Sequence, residues 1–538
     1  MNIEEIEEKE SNKETKIEKK LRSTHIFIFP FKIINETKTE DKKSRKERVL
    51  KDEKDWEEYT PYNSQVETDK NLMKYFNKYA KDSLFRYGND FNDKYVGEFH
   101  HKKIKSCKFT ICYKEKKYIS GVEKVIERNY ILDIEEIRIK FFDTSIGTLS
   151  FVLNNYDYSE ISDVLLINNQ GRKIYLAYET EECSKIKIEG IDFQIYQDIS
   201  ESTIIYEGQN EFLHNNKIID YFINLREIEP MLDDRMYTMC QYLQDDDEIK
   251  KQLNLENNQE KVEELIREKA KNERIKYWYQ YTYIDEPNLK MCQNINLEKE
   301  LIKKSSYMRW EDWGTCYGIS RYSFMLWTRT NFKEKNNFSL NVLNKHLKTL
   351  YFQMLSLLIA QKSTIVLLNE KINNLLEKNS SEENEYNEYL NYLSKLNFRE
   401  ITHQEQGIEI YNLCRNQMDI QMLTEELNLK VKTLNDKAER DRDKEEAEAE
   451  SKQQKTIENF GLFLAILGTI FGILGISETY LNTTSKIIIS GVEIEQENWY
   501  GFFVRKLRDY SGTVFILLAL FFIVYIAIKI YVTIKNKK

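Results

Sequence analysis

Two apolar stretches decide how this chain is read: FGLFLAILGTIFGILGI at residues 460–476 and TVFILLALFFIVYIAI at residues 513–528. Each falls a little short of the roughly 20 residues that a helix needs to cross a hydrocarbon core of ~30 Å. Thr479, Tyr480 and Leu481 extend the first, and Ile530, Tyr531, Val532 and Ile534 extend the second, with Lys529 long enough to snorkel to the headgroups. Residues 459–538 therefore read as a two-pass transmembrane hairpin with a basic tail. Arg440, Arg442, Lys444, Lys452 and Lys455 precede it and Lys535, Lys537 and Lys538 follow it, against Lys486, Arg505, Lys506 and Arg508 in the connecting loop. Positive charge collects on the cytoplasmic side. The expectation is a multi-pass protein of the cell (inner) membrane with both termini cytoplasmic.

The remainder is charged and mixed. Of 538 residues, 31% are charged and 41% hydrophobic, with a formal net charge of −9, and that length exceeds what one core organises. The seven cysteines are scattered, with no CxxC pair or zinc spacing, and the segment read as cytosolic keeps thiols reduced. Residues 1–22 are mostly Glu and Lys, a charged flexible tail with no apolar signal-peptide core.

Residues 23–335 read as a cytosolic α/β domain on a mixed sheet. His25–Ile33 is a buried strand; residues 36–54 a charged loop; Leu72–Tyr87 a helix; Lys103–Tyr113 a strand. Ile131–Phe142 and Thr148–Leu153 form a hairpin whose turn ends on Gly147. Tyr158–Asn168 is helical, as are Lys217–Leu225 and Gln259–Ala270, while Gly171–Tyr175, Lys185–Tyr196, Ser202–Tyr206 and Tyr277–Ile284 are strand candidates. Residues 336–458 read as a helical stalk. Leu343, Leu350 and Leu357 keep one face, and Lys348, Gln353, Gln361 and Lys362 argue against a membrane span there. Leu413, Ile420, Leu427 and Leu434 recur every seven residues, so one helix is expected from about Ile408 to Ile476. The overall class is an α+β membrane protein.

Catalytic signatures are missing: GxGxxG, GxxxxGK[ST], HExxH and GxSxG do not occur, so no enzyme reading is supported. His100–His101 are adjacent on a strand and point to opposite faces, and Asp245–Glu248 reads as a solvated acidic loop, so no metal site is assigned. The richest stretch is Arg309–Phe324, RWEDWGTCYGISRYSF. Trp310 and Trp313 offer faces for a base, and Ser320 with Arg321 offers a phosphate contact; the alternative is that Trp310, Trp313, Tyr317 and Phe324 pack between domain and stalk. Arg172 is a weaker candidate of the same kind, and Asp234 and Arg235 either orient a ribose or amine or form a surface ion pair. In the first span Gly461, Gly468, Gly472 and Gly475 share one face, suited to close helix packing. The opposite face carries Asn459, Phe463, Ile466, Ile470, Ile473 and Ser477, which is either a pore lining with polar ends and an apolar waist or a face toward lipid.

In layout the chain resembles the CorA family of metal-ion transporters: a cytosolic α/β domain, a long stalk helix entering the first span, a short loop, a second span and a basic end. The family's Gly-Met-Asn signature is absent, since residues 472–480 read GILGISETY. A narrower resemblance, carried by Phe141–Phe151, Gly171–Tyr175, Asp233–Met236 and Trp310–Phe324, is to CorA-like membrane proteins associated with type III CRISPR systems. That resemblance implies a homo-oligomer, pentameric as in CorA, acting as an ion channel or membrane-disrupting pore in antiviral defence. It also implies gating by a nucleotide messenger such as an S-adenosylmethionine–AMP conjugate, with no required cofactor and no direct nucleic-acid binding. A divalent-cation (magnesium) transporter and a membrane-anchored scaffold or enzyme are the alternatives.

Overall fold

The aromatic and β-branched run Ser23–Ile33 forms the strand (β1) on which the sheet is centred. The structure is a computed structural model describing residues 19–34, 42–85, 96–104, 106–119, 122–173, 185–190, 194–198, 216–232, 235–254, 262–378, 383–481, 487–489, 492–494 and 510. The further strands are β2 (Trp56–Glu58), β3 (Gly97–His101), β4 (Lys108–Ile119), β5 (Val122–Phe141), β6 (Ile146–Asn155), β7 (Lys185–Glu189), β8 (Gln194–Asp198), β9 (Ile228–Pro230), β10 (Tyr237–Asp245), β11 (Ser306–Trp310), β12 (Thr315–Ser320) and β13 (Ser323–Thr330). They assemble in the order β11-β12-β13-β10-β1-β6-β5-β4-β7-β8, with β3 on β5, β2 on β3 and β9 on β1. β10 and β13 run parallel, whereas β1 lies antiparallel to both β10 and β6, so the sheet is mixed.

Side chains alternate across β1. Ile26 and Ile28 enter one core, and Phe27, Phe29 and Phe31 enter the other. The first face is covered by a helical run that starts with π-turns at Ser339–Asn344 and Leu347–Tyr351, and by helices further along the chain. The second face is covered by α1 (Ile161–Gly171) and, beside β10 and β13, by α2 (Val262–Tyr283). The π-turns lead into α3 (Phe352–Lys378), followed by α4 (Glu383–Lys395), α5 (Glu405–Gln417) and α6 (Ile420–Leu481). Ser339–Leu376 is long and apolar enough to cross a membrane, yet 94% of its apolar window is buried inside the protein, where Leu347, Leu357 and Leu368 pack in the core.

Several sequence readings change. Tyr277–Ile284 is not a strand but the end of α2, because Ala270, Arg274, Trp278 and Tyr281 are buried at helical spacing. The charged loop contains a helix, Lys42–Val49, anchored by fully buried Arg45, which donates to Phe142 O at 3.1 Å. The expected helix at Leu72–Tyr87 is two, Glu67–Tyr75 and Lys78–Phe85, parted where Phe76 bridges to Thr402 and Asn77 caps the second. In the β5–β6 hairpin Ser145, with φ 62°, takes the left-handed position, while Gly147 lies in β6 opposite Phe31. The single helix expected from Ile408 is broken at Met418–Asp419, where Asp419 has φ 56°. The seam residues Ile420 and Leu427 are fully buried in the same core as Ile365 and Tyr392, so their partners lie within the chain.

By contacts the chain divides into two compact units, Met1–Asp436 and Lys437–Lys538. In the second unit α6 runs through the first apolar stretch to Leu481, and Ile487–Ile489 pairs antiparallel with Val492–Ile494. The second apolar stretch, 513–528, and the strand expected at Ser202–Tyr206 lie outside the described residues.

Candidate ligand site

The parallel pair β10–β13 ends at Asp245 and Thr330, and beside those ends opens a cleft of about 640 Å³. Open sheets commonly bind ligands beyond the carboxyl ends of parallel strands. Trp310 closes β11 and Trp313 follows in a single 3₁₀ turn that Gly314 ends at φ 75°, a conformation open to glycine; a Cβ there would also meet Arg329 Cβ at 2.6 Å. Trp313 is 79% exposed and Trp310 41%, and both line the cleft. The floor is polar and aromatic. Tyr317 and Tyr351 bring their hydroxyls to 3.2 Å of each other, Gln406 of α5 donates to them at 3.4 and 3.5 Å, and Trp310 Nε1 donates to Gln406 Oε1 at 3.2 Å. Burial pushes both tyrosines up, Tyr317 to about 12 and Tyr351 well above its ordinary value, so they are neutral hydroxyls. Leu343, His346 and Leu350 reach the cleft from the π-helical segment, a geometry that recurs at functional sites.

Four carboxylates line the cleft, Asp246, Glu263, Asp312 and Glu334, and two guanidiniums, Arg267 and Arg329. Arg329 pairs with Asp246 at 2.7 Å and with Glu263, and Arg267 donates to Glu263 at 3.1 Å. Burial pushes the Asp246 carboxyl up to about 6, with Arg329 pulling the other way, and burial holds His346 down.

The other sequence candidates gather at the opposite end of these strands. Ser320 ends β12, Arg321 lies in the turn to β13, and Tyr322 O accepts from Thr238 N of β10 at 3.0 Å. Arg172 follows α1, is buried, and its carbonyl accepts from Met236 N at 2.9 Å, next to half-buried Arg235. Arg172 thus joins Arg235, Ser320 and Arg321 in one neighbourhood, while Trp310 and Trp313 are a strand length away, about 17 Å at 3.3 Å per residue. Within it Ser320 bonds Ser323 at 2.6 Å, Arg321 pairs with Asp419, and Arg172 offsets part of the burial that pushes Asp285 up. Asp234 lies outside the described residues.

Among the pore candidates, Asn459, Phe463 and Ile466 are exposed on α6, Phe463 by 45% and Ile466 by 50%; Ile470, Ile473 and Ser477 are in the same helix, and their side-chain surroundings lie outside the described residues. A Cβ on Gly461 or Gly468 would meet open space.

Two constellations escaped sequence reasoning because their members are far apart in the chain. Ser23, His25 and Asn168 are linked in series at 2.8 and 2.7 Å, in the order of a nucleophile, base and orienting group, but all three are fully buried, which denies a substrate access. Glu98 and Lys140 form a buried ion pair at 3.0 Å, joined by Gln353 of α3. His100 bonds Glu98 at 3.0 Å whereas His101 packs against Trp56, so the two imidazoles point apart. Asp245 caps a helix start and pairs with Lys20 at 3.0 Å, so the acidic run is an ion-paired turn rather than a solvated loop. Among the described residues no three His, Cys, Asp or Glu side chains gather as a metal would require.

Comparison with family models, with curated proteins and with solved structures finds no match for this chain.

Proposed function

We propose that this chain is a ligand-gated membrane effector, in which an α+β body binds a nucleotide messenger and passes its state to an apolar helix in the bilayer. The observation that carries the reading is α6. Its first turns are locked in the core of the body through Ile420 and Leu427, and the same helix continues into Phe460–Ile476, where Leu462, Leu464 and Ile466 are at least half exposed. Exposed apolar side chains in such a run call for a lipid or protein cover. The cleft supports ligand binding by its size and by tryptophans held at its rim, which suit a base. The resemblance in layout to the CorA family suggests a homo-oligomer, a pentamer in that family, and the resemblance of Phe141–Phe151, Gly171–Tyr175, Asp233–Met236 and Trp310–Phe324 to CorA-like proteins of type III CRISPR systems suggests an S-adenosylmethionine–AMP conjugate as messenger, acting in antiviral defence at the inner membrane.

The test is dye release from vesicles carrying the full chain. The conjugate should release entrapped dye, and Trp313→Ala, a change at an exposed side chain, should abolish the response without changing insertion. Failure of the chain to enter vesicles, or release indifferent to the conjugate, overturns the reading.

A further inference from the structure

The helical wall of the cleft leaves α-geometry where side chains of the sheet take its carbonyls. At the end of the second π-turn, Leu347–Tyr351, Phe352 N donates to Leu347 O, five residues back, and to Thr349 O. An α-turn would pair Phe352 N with Lys348 O, four residues back. That carbonyl accepts instead from Arg138 Nη1 of β5 at 2.7 Å, and Arg138 is buried. A hydrogen bond from a guanidinium is roughly twice as strong as one between neutral groups, so the amide loses the competition. Glu136 orients the guanidinium through an ion pair, and the Phe352 ring lies 4.7 Å from it. The first π-turn, Ser339–Asn344, repeats the arrangement. Fully buried Gln241 of β10 donates to Ser339 O at 3.1 Å, the carbonyl that an α-turn would pair with Leu343 N, and accepts from Asn344 Nδ2 at 2.9 Å.

We infer that Arg138 and Gln241 are positioning residues of the cleft, which hold its wall in π form without lining it themselves. Leu343, His346, Leu350 and Tyr351 reach the cleft from this stretch, and Tyr351 meets Tyr317 at its floor. A π-turn holds about one residue more than an α-turn, so relaxing one would turn the side chains before it by roughly 100° against α3. The start of α3 does not follow, because Phe352, Met354, Leu355 and Leu358 are fully buried in the core. The cleft would then lose part of its wall. The inference rests on reading the cleft as the ligand site, and it adds the residues outside the cleft that set its shape.

Electron cryo-microscopy of the full chain in detergent, without ligand, tests the geometry. In Arg138→Met the second turn is expected to become α, with Phe352 N on Lys348 O, while the first stays π. Gln241→Met should relax the first turn and leave the second. Arg138→Lys, which keeps a cationic donor for the carbonyl, should keep the π-turn that Arg138→Met loses. Both π-turns persisting in the two Met variants overturns the inference, and so does loss of the second turn in Arg138→Lys, which would make bulk rather than the donor the cause. Should Arg138→Met fail to fold, Gln241→Met decides alone. Calorimetry with the S-adenosylmethionine–AMP conjugate then reads the effect on the site: Arg138→Met should bind roughly tenfold weaker or worse than the unaltered chain, and Arg138→Lys should recover most of the loss. A relaxed turn with unchanged affinity would also sink the positioning role. Because the turn geometry is read without ligand, a conjugate that the unaltered chain does not bind sinks the effector reading alone, whereas conjugate-driven dye release with both turns unmoved in the variants sinks this inference alone.

Discussion

His25 sits in β1 with no solvent exposure, its Nδ1 2.7 Å from Asn168 Oδ1 and its Nε2 2.8 Å from Ser23 Oγ. Burial brings its pKa down from 6.5 to about 4, against the opposing bond to Asn168. With the folded value below the unfolded one, the unfolded chain binds more protons between them, so stability present above pH 6.5 is lost as the pH falls toward 4. The loss is about 3 kcal/mol at the acid end, taking ~1.4 kcal/mol per unit. Denaturant midpoints measured across that window should fall accordingly, and His25→Gln should flatten the dependence; a parallel fall in both proteins would place the titration elsewhere. At this scale the sequence was informative about type and silent about pairing. Trp310 and Trp313 stood out by composition as candidates either for a ligand face or for packing between domain and stalk, but Gln406, which holds Trp310, is 96 residues away and has no signal of its own.

Periodicity told more about helices than about strands. The seven-residue seam at Ile420, Leu427 and Leu434 was visible because α6 buries one face, and the start of the helical region at Ser339 was visible for the same reason. The strands β10, β12 and β13 were not, since both sheet faces are covered and every residue of β10 is buried, which erases the alternation that marks a half-exposed strand. The break at Asp419 was equally hidden, because it contains neither Pro nor Gly and a lone Asp can adopt the left-handed conformation. The seam's partner also could not be read, since heptad spacing alone does not say whether another chain or the same chain covers it. Leu427→Ala decides the matter. Fully buried in the core of the first unit, it should cost about 2–5 kcal/mol of folding stability. Because the loss falls within one chain, thermal melts should shift equally at low and high protein concentration, whereas a shift that grows on dilution would make the seam an intersubunit contact.

For the molecule as a whole, the proposed function needs a barrier that holds at rest and yields to ligand. One α6 does not enclose a pore, so under that proposal several copies would each supply one. Under the proposed function, Phe463, Ile466 and Ile470, between Asn459 and Ser477 in the sequence, would form an apolar waist. A narrow constriction lined with hydrocarbon dries, and an ion crossing it loses hydration without replacement, so no charged plug is needed for closure. Since α6 is one helix from Ile420 to Leu481, repacking around Ile420 and Leu427 is the route by which ligand binding would, under this proposal, widen that waist. Ile466→Asn should then wet the constriction and make vesicles leak without ligand, whereas Gly468→Leu should impair assembly, because small residues permit close helix approach. The measurement is ion flux from vesicles loaded with equal amounts of each variant. If the Ile466 variant stays as tight as the unaltered chain while the Gly468 variant leaks, the glycine face lines the pore and the isoleucines face lipid.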